Sequence, residues 1–73
     1  MHIPRTQVQS SAIVSIAYTT ESALDVEFTS GVTHRYFAVP RSTVEALLSA
    51  DSKGAFLNRY VKPHFPSHRL GNP

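Results

Sequence analysis

The chain has 73 residues, of which 41% are apolar, with no cysteine and a formal net charge of +2. A chain this short buries only about 60% of its unfolded surface, which limits it to one domain with a small core. Its apolar content excludes a disordered segment, and it lacks the long apolar run of a membrane span. Without cysteine there is neither a disulfide framework nor a thiolate metal site. Because the N-terminal residues lack the pattern of a secretory signal, we expect a cytoplasmic protein.

The charges are distributed unevenly along the chain. Residues 1–52 carry three arginines against five acidic residues, which gives −2, whereas residues 53–73 carry four basic residues and no acid, which gives +4. The basic residues of this end are Lys53, Arg59, Lys62 and Arg69. We expect this end to face an anionic partner, although a solvated basic tail would have the same composition.

The N-terminal half predicts an arm followed by two strands. Residues 1–9 are mostly polar and include Pro4, so we predict an arm. Residues 12–18 are rich in β-branched side chains and predict a first strand. Period-two alternation would place Ala12, Val14, Ile16 and Tyr18 on one face. In residues 24–28, apolar residues alternate with acids, which is typical of a strand buried on one side. We predict one domain over 10–70 and a tail over 71–73.

A hairpin loop follows at Thr29, Ser30 and Gly31, with Gly31 in the left-handed conformation that the lack of a Cβ permits. In this register Phe28 pairs with Val32, Val26 with His34, and Leu24 with Tyr36. The third strand then has a buried face of Val32, His34, Tyr36 and Ala38, and an outer face of Thr33, Arg35, Phe37 and Val39. A two-residue loop would reverse these faces and bury an unpaired Arg35, which is costly.

Two helices are predicted in the remaining chain. Pro40 suits the first turn of a helix that ends near Ala50 and carries the apolar stripe Val44, Leu47 and Leu48. Ser52 is a plausible cap for a second helix, which Pro63 ends. Its predicted buried face consists of Phe56, Leu57, Tyr60 and Val61. The fold class predicted from this pattern is α+β, with a three-stranded antiparallel β-meander followed by two α-helices.

No residue pattern indicates catalysis or a cofactor. The four histidines lack metal-ligand spacing and a nearby carboxylate or thiolate that would complete a zinc site. No serine lies in a nucleophile elbow beside a placed histidine and acid. Lys53-Gly54 has no upstream glycine-rich loop, so we expect Gly54 to allow close approach of helix and sheet instead of holding phosphate. We therefore expect a binding protein and not an enzyme, with no metal and no cofactor.

Three segments, VQSSAIVSIAY, LDVEFTSGVTHRYFAVP and SKGAFLNRYVKPHFP, carry a resemblance to the KTSC family. This family comprises small domains named for their occurrence at the C-terminus of some lysyl-tRNA synthetases, and also found alone. The resemblance covers residues 8–70 and implies three antiparallel strands followed by two helices, with a suggested RNA-binding role. KTSC sequences usually have a tyrosine, any residue and a tyrosine where this chain has His34, Arg35 and Tyr36, so the first tyrosine is replaced by histidine.

In length, and in being one domain with no enzyme attached, the chain also resembles a small lytic-phage transcription regulator. That resemblance implies binding to the β and β′ subunits of host bacterial RNA polymerase and inhibition of initiation by opposing sigma-factor engagement. We expect a monomer that uses six contact residues, Arg35, Phe37, Lys53, Arg59, Lys62 and Arg69. The alternative is an RNA-binding module in which the basic end binds phosphates and Tyr36, Phe37 or Tyr60 stacks on bases.

Overall fold

The computed structural model describes residues 2–70. Five antiparallel strands form one sheet in chain order, and the helices lie between the fourth and fifth strands. The strands are β1 (Ile3–Gln7), β2 (Ile13–Tyr18), β3 (Leu24–Phe28), β4 (Thr33–Tyr36) and β5 (Ser67–Leu70). The helices are α1 (Arg41–Ser49) and α2 (Lys53–Phe56), and α2 continues into a π-helical turn, Leu57–Val61. Within residues 2–70, no helix is long and apolar enough to cross a membrane.

The α+β class is confirmed, but the predicted three-stranded sheet is wrong, because β1 and β5 extend it to five strands. Both additional strands are sheet edges whose side chains are largely exposed, so neither shows the alternation that reveals a half-buried strand. Pro4 is compatible with β1 because an edge strand tolerates proline. Strand β1 arises within the predicted arm, and the predicted tail, 71–73, lies outside the described residues.

The predicted β3–β4 hairpin is confirmed in its loop and its register. Val26 lies opposite His34 and Leu24 opposite Tyr36. The Phe28 amide donates to the Val32 carbonyl at 2.8 Å, and Gly31 has a φ of +93°. The glycine therefore supplies the left-handed residue that a three-residue loop requires.

Strand β2 contains a bulge that changes which of its residues face the core. Ile13 pairs with Phe28 while Ser15 pairs with Glu27, so two steps along β2 match one step along β3. Such an extra residue reverses the alternation on one side of the bulge. Ile13 is therefore buried, whereas Ala12 is exposed. The predicted face of Ala12, Val14, Ile16 and Tyr18 is therefore wrong at the start of the strand, where Ile13 takes the buried position.

The chain leaves the sheet through a strained residue, Ala38, whose φ is +59°. This conformation breaks the alternation of β4, so that Val39 is buried and Ala38 is exposed, the reverse of the prediction. The Val39 amide donates to the Ser22 carbonyl at 3.0 Å. The Tyr18 hydroxyl donates to the Val39 carbonyl at 2.5 Å. Val39 is thus fixed by two hydrogen bonds where the sheet passes to α1.

Helix α1 follows Pro40 as predicted and buries Val44 and Leu47. The Ser52 hydroxyl accepts from the Ala55 amide at 3.2 Å, which confirms the predicted cap of α2. A Cβ added to Gly54 would lie 3.3 Å from the Cβ of Ala12, so this glycine does allow close approach of helix and sheet.

The π-helical turn explains one error in the predicted helix face. The Lys62 amide donates to the Leu57 carbonyl, five residues back, at 2.9 Å. Leu57 and Val61 are both buried, as predicted, and the wider turn rotates Tyr60 outward. Tyr60 was predicted to be buried and is 48% exposed.

The core lies between one face of the sheet and the helices. Its buried members come from both layers: Ile13, Ile16, Tyr18, Leu24, Val26, Tyr36, Val39, Val44, Leu47, Leu57 and Val61.

Candidate functional site

A cleft of about 600 Å³ lies along β4 and is bounded by β5 and by the end of the π-helical turn. We call it the β4 cleft. Its lining residues are Phe28, Ser30, Val32, His34, Tyr36, Lys62, Ser67 and Arg69. Because Val32, His34 and Tyr36 alternate along β4, they share the sheet face that carries the core. The cleft is therefore the part of this face that the helices leave uncovered.

The pairing of β4 with β5 brings distant residues of the sequence together in the cleft. His34 lies opposite Arg69, and Tyr36 lies opposite Ser67. Lys62 directly follows the π-helical turn, and its side chain lines the cleft. Its ammonium nitrogen lies 5.3 Å from the centroid of the Phe28 ring. A cation at this distance from a ring face is attracted by the ring quadrupole.

Three aromatic rings line one side of the cleft in a continuous row. The Phe28 and His34 rings are in edge contact, with centroids 5.9 Å apart and an interplanar angle of 79°. The His34 and Tyr36 rings are stacked at 6.3 Å with an angle of 28°. Both distances lie within the range of favourable aromatic pairs. His34 is the central ring and is only half-buried, so it remains accessible to a ligand.

The β4 cleft is electropositive. Lys62 and Arg69 are exposed, and none of the lining residues is acidic. Within residues 2–70 neither cation forms a salt bridge, whereas Arg5, Arg35 and Arg41 each pair with a carboxylate. The Tyr36 hydroxyl is protonated at neutral pH, as for any tyrosine, and burial raises its pKa further above the ordinary 10.0. The cleft thus offers cations and hydroxyl donors to an anion.

Two of the six predicted contact residues, Lys62 and Arg69, meet in the cleft, and the other four lie elsewhere. Phe37 is 41% exposed just beyond the end of β4. The ammonium of Lys53 donates to the Ala50 carbonyl at 3.2 Å. The guanidinium of Arg59 lies 5.6 Å from the centroid of the Tyr60 ring, on the exposed side of the helical segment.

Arg35 lies on the sheet face opposite the helices, where its guanidinium donates two hydrogen bonds to Asp25, at 2.7 and 2.9 Å. The hydrogen bonds to Asp25 raise the pKa of Arg35 above its ordinary value. On the same face Glu27 accepts from Ser15 at 3.0 Å and pairs with Arg5 at 3.2 Å. The two arginines on this outer face of the sheet are therefore paired with neighbouring acids, unlike the cations of the β4 cleft.

Sequence reasoning did not assign Phe28, His34 and Ser67 to a site. The hairpin register already placed Phe28, His34 and Tyr36 on one face, and the histidine in place of the usual tyrosine marked the central position. That signal could have indicated the aromatic row. Ser67 had no such signal, because β5 was not predicted. Within residues 2–70 no group of three potential metal ligands is found.

Comparison with known proteins gives a consistent result. The model of the KTSC domain matches residues 9–65. A protein of Stutzerimonas stutzeri is 48% identical over 68 residues, which are 90% of this chain and 96% of that protein. A lysine–tRNA ligase of Nostoc punctiforme is 35% identical over 68 residues, 92% of this chain but 12% of the ligase. The crystal structure of a KTSC domain protein of Yersinia pestis is similar with a TM-score of 0.86 and 34% identity, covering 93% of this chain and 97% of that one.

Proposed function

The chain belongs to the KTSC domain family, and on this basis we propose that it binds single-stranded RNA in the β4 cleft. The observation that carries the proposal is that two cations without acidic partners border a row of three rings in one cleft. Proteins that bind single-stranded nucleic acid combine these two elements, because cations attract the backbone while aromatic faces stack on bases.

The arrangement assigns a role to each group. Lys62 and Arg69 would bind phosphate oxygens, and His34 would offer a ring edge or face to a base. Tyr36 and Ser67 are paired across β4 and β5, and their hydroxyls would donate or accept hydrogen bonds. A histidine ring stacks on bases as other aromatic side chains do, so the replacement of tyrosine at position 34 is compatible with this role.

The relative from Nostoc punctiforme supports RNA as the ligand class. That protein is named a lysine–tRNA ligase, and a segment similar to nearly all of this chain forms part of it. A similar domain therefore occurs in a protein that acts on a tRNA.

The test is the affinity for a fluorescein-labelled single-stranded RNA, measured by fluorescence anisotropy. A Lys62→Gln, Arg69→Gln double variant removes both cleft cations. The matched control, Lys53→Gln with Arg59→Gln, removes one lysine and one arginine outside the cleft. We expect the cleft variant to bind at least about tenfold more weakly, since each charged hydrogen bond contributes about 1.5–3 kcal/mol. Equal losses in both variants, or no binding by the unchanged protein, would contradict the proposal.

A second candidate function is favoured by the exposed ring of Phe37, which lies outside the cleft. An exposed aromatic beside an arginine, here Arg35, is a composition typical of protein interfaces. With the resemblance to the phage regulator, this supports binding to the β and β′ subunits of bacterial RNA polymerase and inhibition of initiation. Such an inhibitor would need only a higher affinity for polymerase without sigma factor than for polymerase with it.

The polymerase candidate is tested by retention of polymerase from bacterial lysate on immobilised protein, with and without nuclease. Retention that survives nuclease and is lost on Phe37→Ala would support it. Promoter-dependent transcription that is unchanged at saturating protein would contradict inhibition.

A further inference from the structure

The β4 cleft has the dimensions of a small-ligand site. Its volume of about 600 Å³ lies within the range of about 300–1,000 Å³ typical of pockets for small molecules. A strand advances about 3.4 Å per residue, so the trough from Val32 to Tyr36 is about 14 Å long. Ser30 marks its exposed end in the hairpin loop, whereas Tyr36 is only 2% exposed. The trough therefore has the volume and length of a site for a short segment of RNA.

The charge of the cleft also exceeds what one internal phosphate requires. An internal phosphodiester carries about one negative charge, whereas a phosphate monoester carries about −1.5 to −2 at pH 7 and three strong acceptor oxygens. The cleft offers Lys62 and Arg69 with no acid to neutralise them, and His34 lies directly opposite Arg69. The Ser67 hydroxyl lies two residues from Arg69 on the same face of β5.

We propose that the β4 cleft is selective for a nucleoside phosphate monoester, with the phosphate held by Lys62 and Arg69 and the base against the ring of His34. This inference rests on the proposed RNA-binding function and specifies its ligand as a phosphorylated strand end. A free mononucleotide has the same chemistry, and the experiment below separates the two sources.

The test compares three uridine octanucleotides of identical sequence, with a 5′-phosphate, with a 3′-phosphate, or with neither, each labelled at an unphosphorylated end. Uridine, uridine monophosphate and inorganic phosphate serve as competitors. We expect one phosphorylated strand to bind about tenfold more tightly than the unphosphorylated strand, the factor that one charged hydrogen bond contributes. This advantage should disappear in the Lys62→Gln, Arg69→Gln variant and persist in the Lys53→Gln, Arg59→Gln control. Uridine monophosphate should compete where uridine does not.

The outcomes distinguish this inference from the function on which it rests. Equal affinity for all three strands would overturn selectivity for the monoester and leave RNA binding intact. Competition by inorganic phosphate as strong as that by uridine monophosphate would overturn the role of the base. If nuclear magnetic resonance titration shows that uridine monophosphate binds at His34 and no strand binds, the ligand is the free nucleotide and RNA binding is overturned. If neither binds, both proposals fail.

Discussion

Replacement of Tyr18 by phenylalanine should destabilise the fold measurably while leaving its packing intact. The Tyr18 hydroxyl donates to the Val39 carbonyl at 2.5 Å, and both residues are buried, at 3% and 0% exposure. The variant retains the ring and so opens no large cavity. It removes a buried donor and takes from the Val39 carbonyl a hydrogen bond that water cannot easily replace.

The expected magnitude follows from this burial. Leaving a buried polar group without its partner costs about 1–3 kcal/mol, and we expect about 2 kcal/mol for Tyr18→Phe. For a domain of this size, each kcal/mol lowers the melting temperature by about 4–8 °C, so the shift should be about 8–16 °C. The lost stability should come from the connection between β4 and α1, because the hydrogen bond holds Val39, the residue after the strained Ala38.

The assay is urea and thermal unfolding followed by circular dichroism, with Tyr60→Phe as the control. Tyr60 is 48% exposed, so its variant should differ from the unchanged protein by less than about 0.5 kcal/mol. The reasoning is refuted if Tyr18→Phe unfolds at the same urea concentration as the unchanged protein, or if the two variants lose equal stability.

Three further predictions follow from the loop, the buried tyrosine and the cleft. Gly31→Ala should lower the free energy of unfolding, measured in urea, by about 1–2 kcal/mol, because a φ of +93° strains any residue with a Cβ. The cost is one of backbone conformation, since a Cβ added at Gly31 would meet nothing within 4 Å. An unchanged urea midpoint would contradict this. Burial raises the pKa of Tyr36 above its ordinary 10.0, so the unfolded chain releases this proton first as pH rises. The stability that the protonated Tyr36 hydroxyl contributes is fully present below about pH 10 and is lost as pH rises through the folded-state pKa. Tyr36→Phe should therefore flatten the pH dependence of the free energy of unfolding above about pH 10. If the free energies of the variant and the unchanged protein fall in parallel with pH, this prediction is contradicted. Two phosphate contacts, from Lys62 and Arg69, predict a slope of about −1.4 for log affinity for single-stranded RNA against log salt concentration. The slope should approach zero in the cleft double variant, and an unchanged slope there would place the phosphate contacts elsewhere.

The sequence alone was sufficient for the elements whose determinants are local. The β3–β4 hairpin follows from alternation in residues 24–28 and from one glycine that can adopt positive φ, and its register was predicted residue by residue. The starts of the helices follow from Pro40 and from the hydroxyl of Ser52, which act within one helical turn.

Local deviations of the backbone could not be predicted from the pattern of apolar and polar residues. Three such deviations change which side chains face the core: the bulge in β2, the positive φ of Ala38 and the π-helical turn. Ile13 consequently takes a buried position in β2, Ala38 and Tyr60 are exposed, and Val39 is buried, all contrary to the predicted pattern. The alanine side chain does not favour a positive φ, so the packing around Ala38 imposes this conformation.

The sequence by itself determined a small α+β domain, the central hairpin, both helix starts and the basic character of the C-terminal end. Only the tertiary structure decided that Ile3–Gln7 and Ser67–Leu70 are strands, because edge strands are held by backbone hydrogen bonds to a neighbour and need no apolar periodicity of their own. The β4 cleft depends on the second of these pairings. His34 and Arg69 are 35 positions apart in the sequence, and they face each other because β5 returns after the helices to pair with β4.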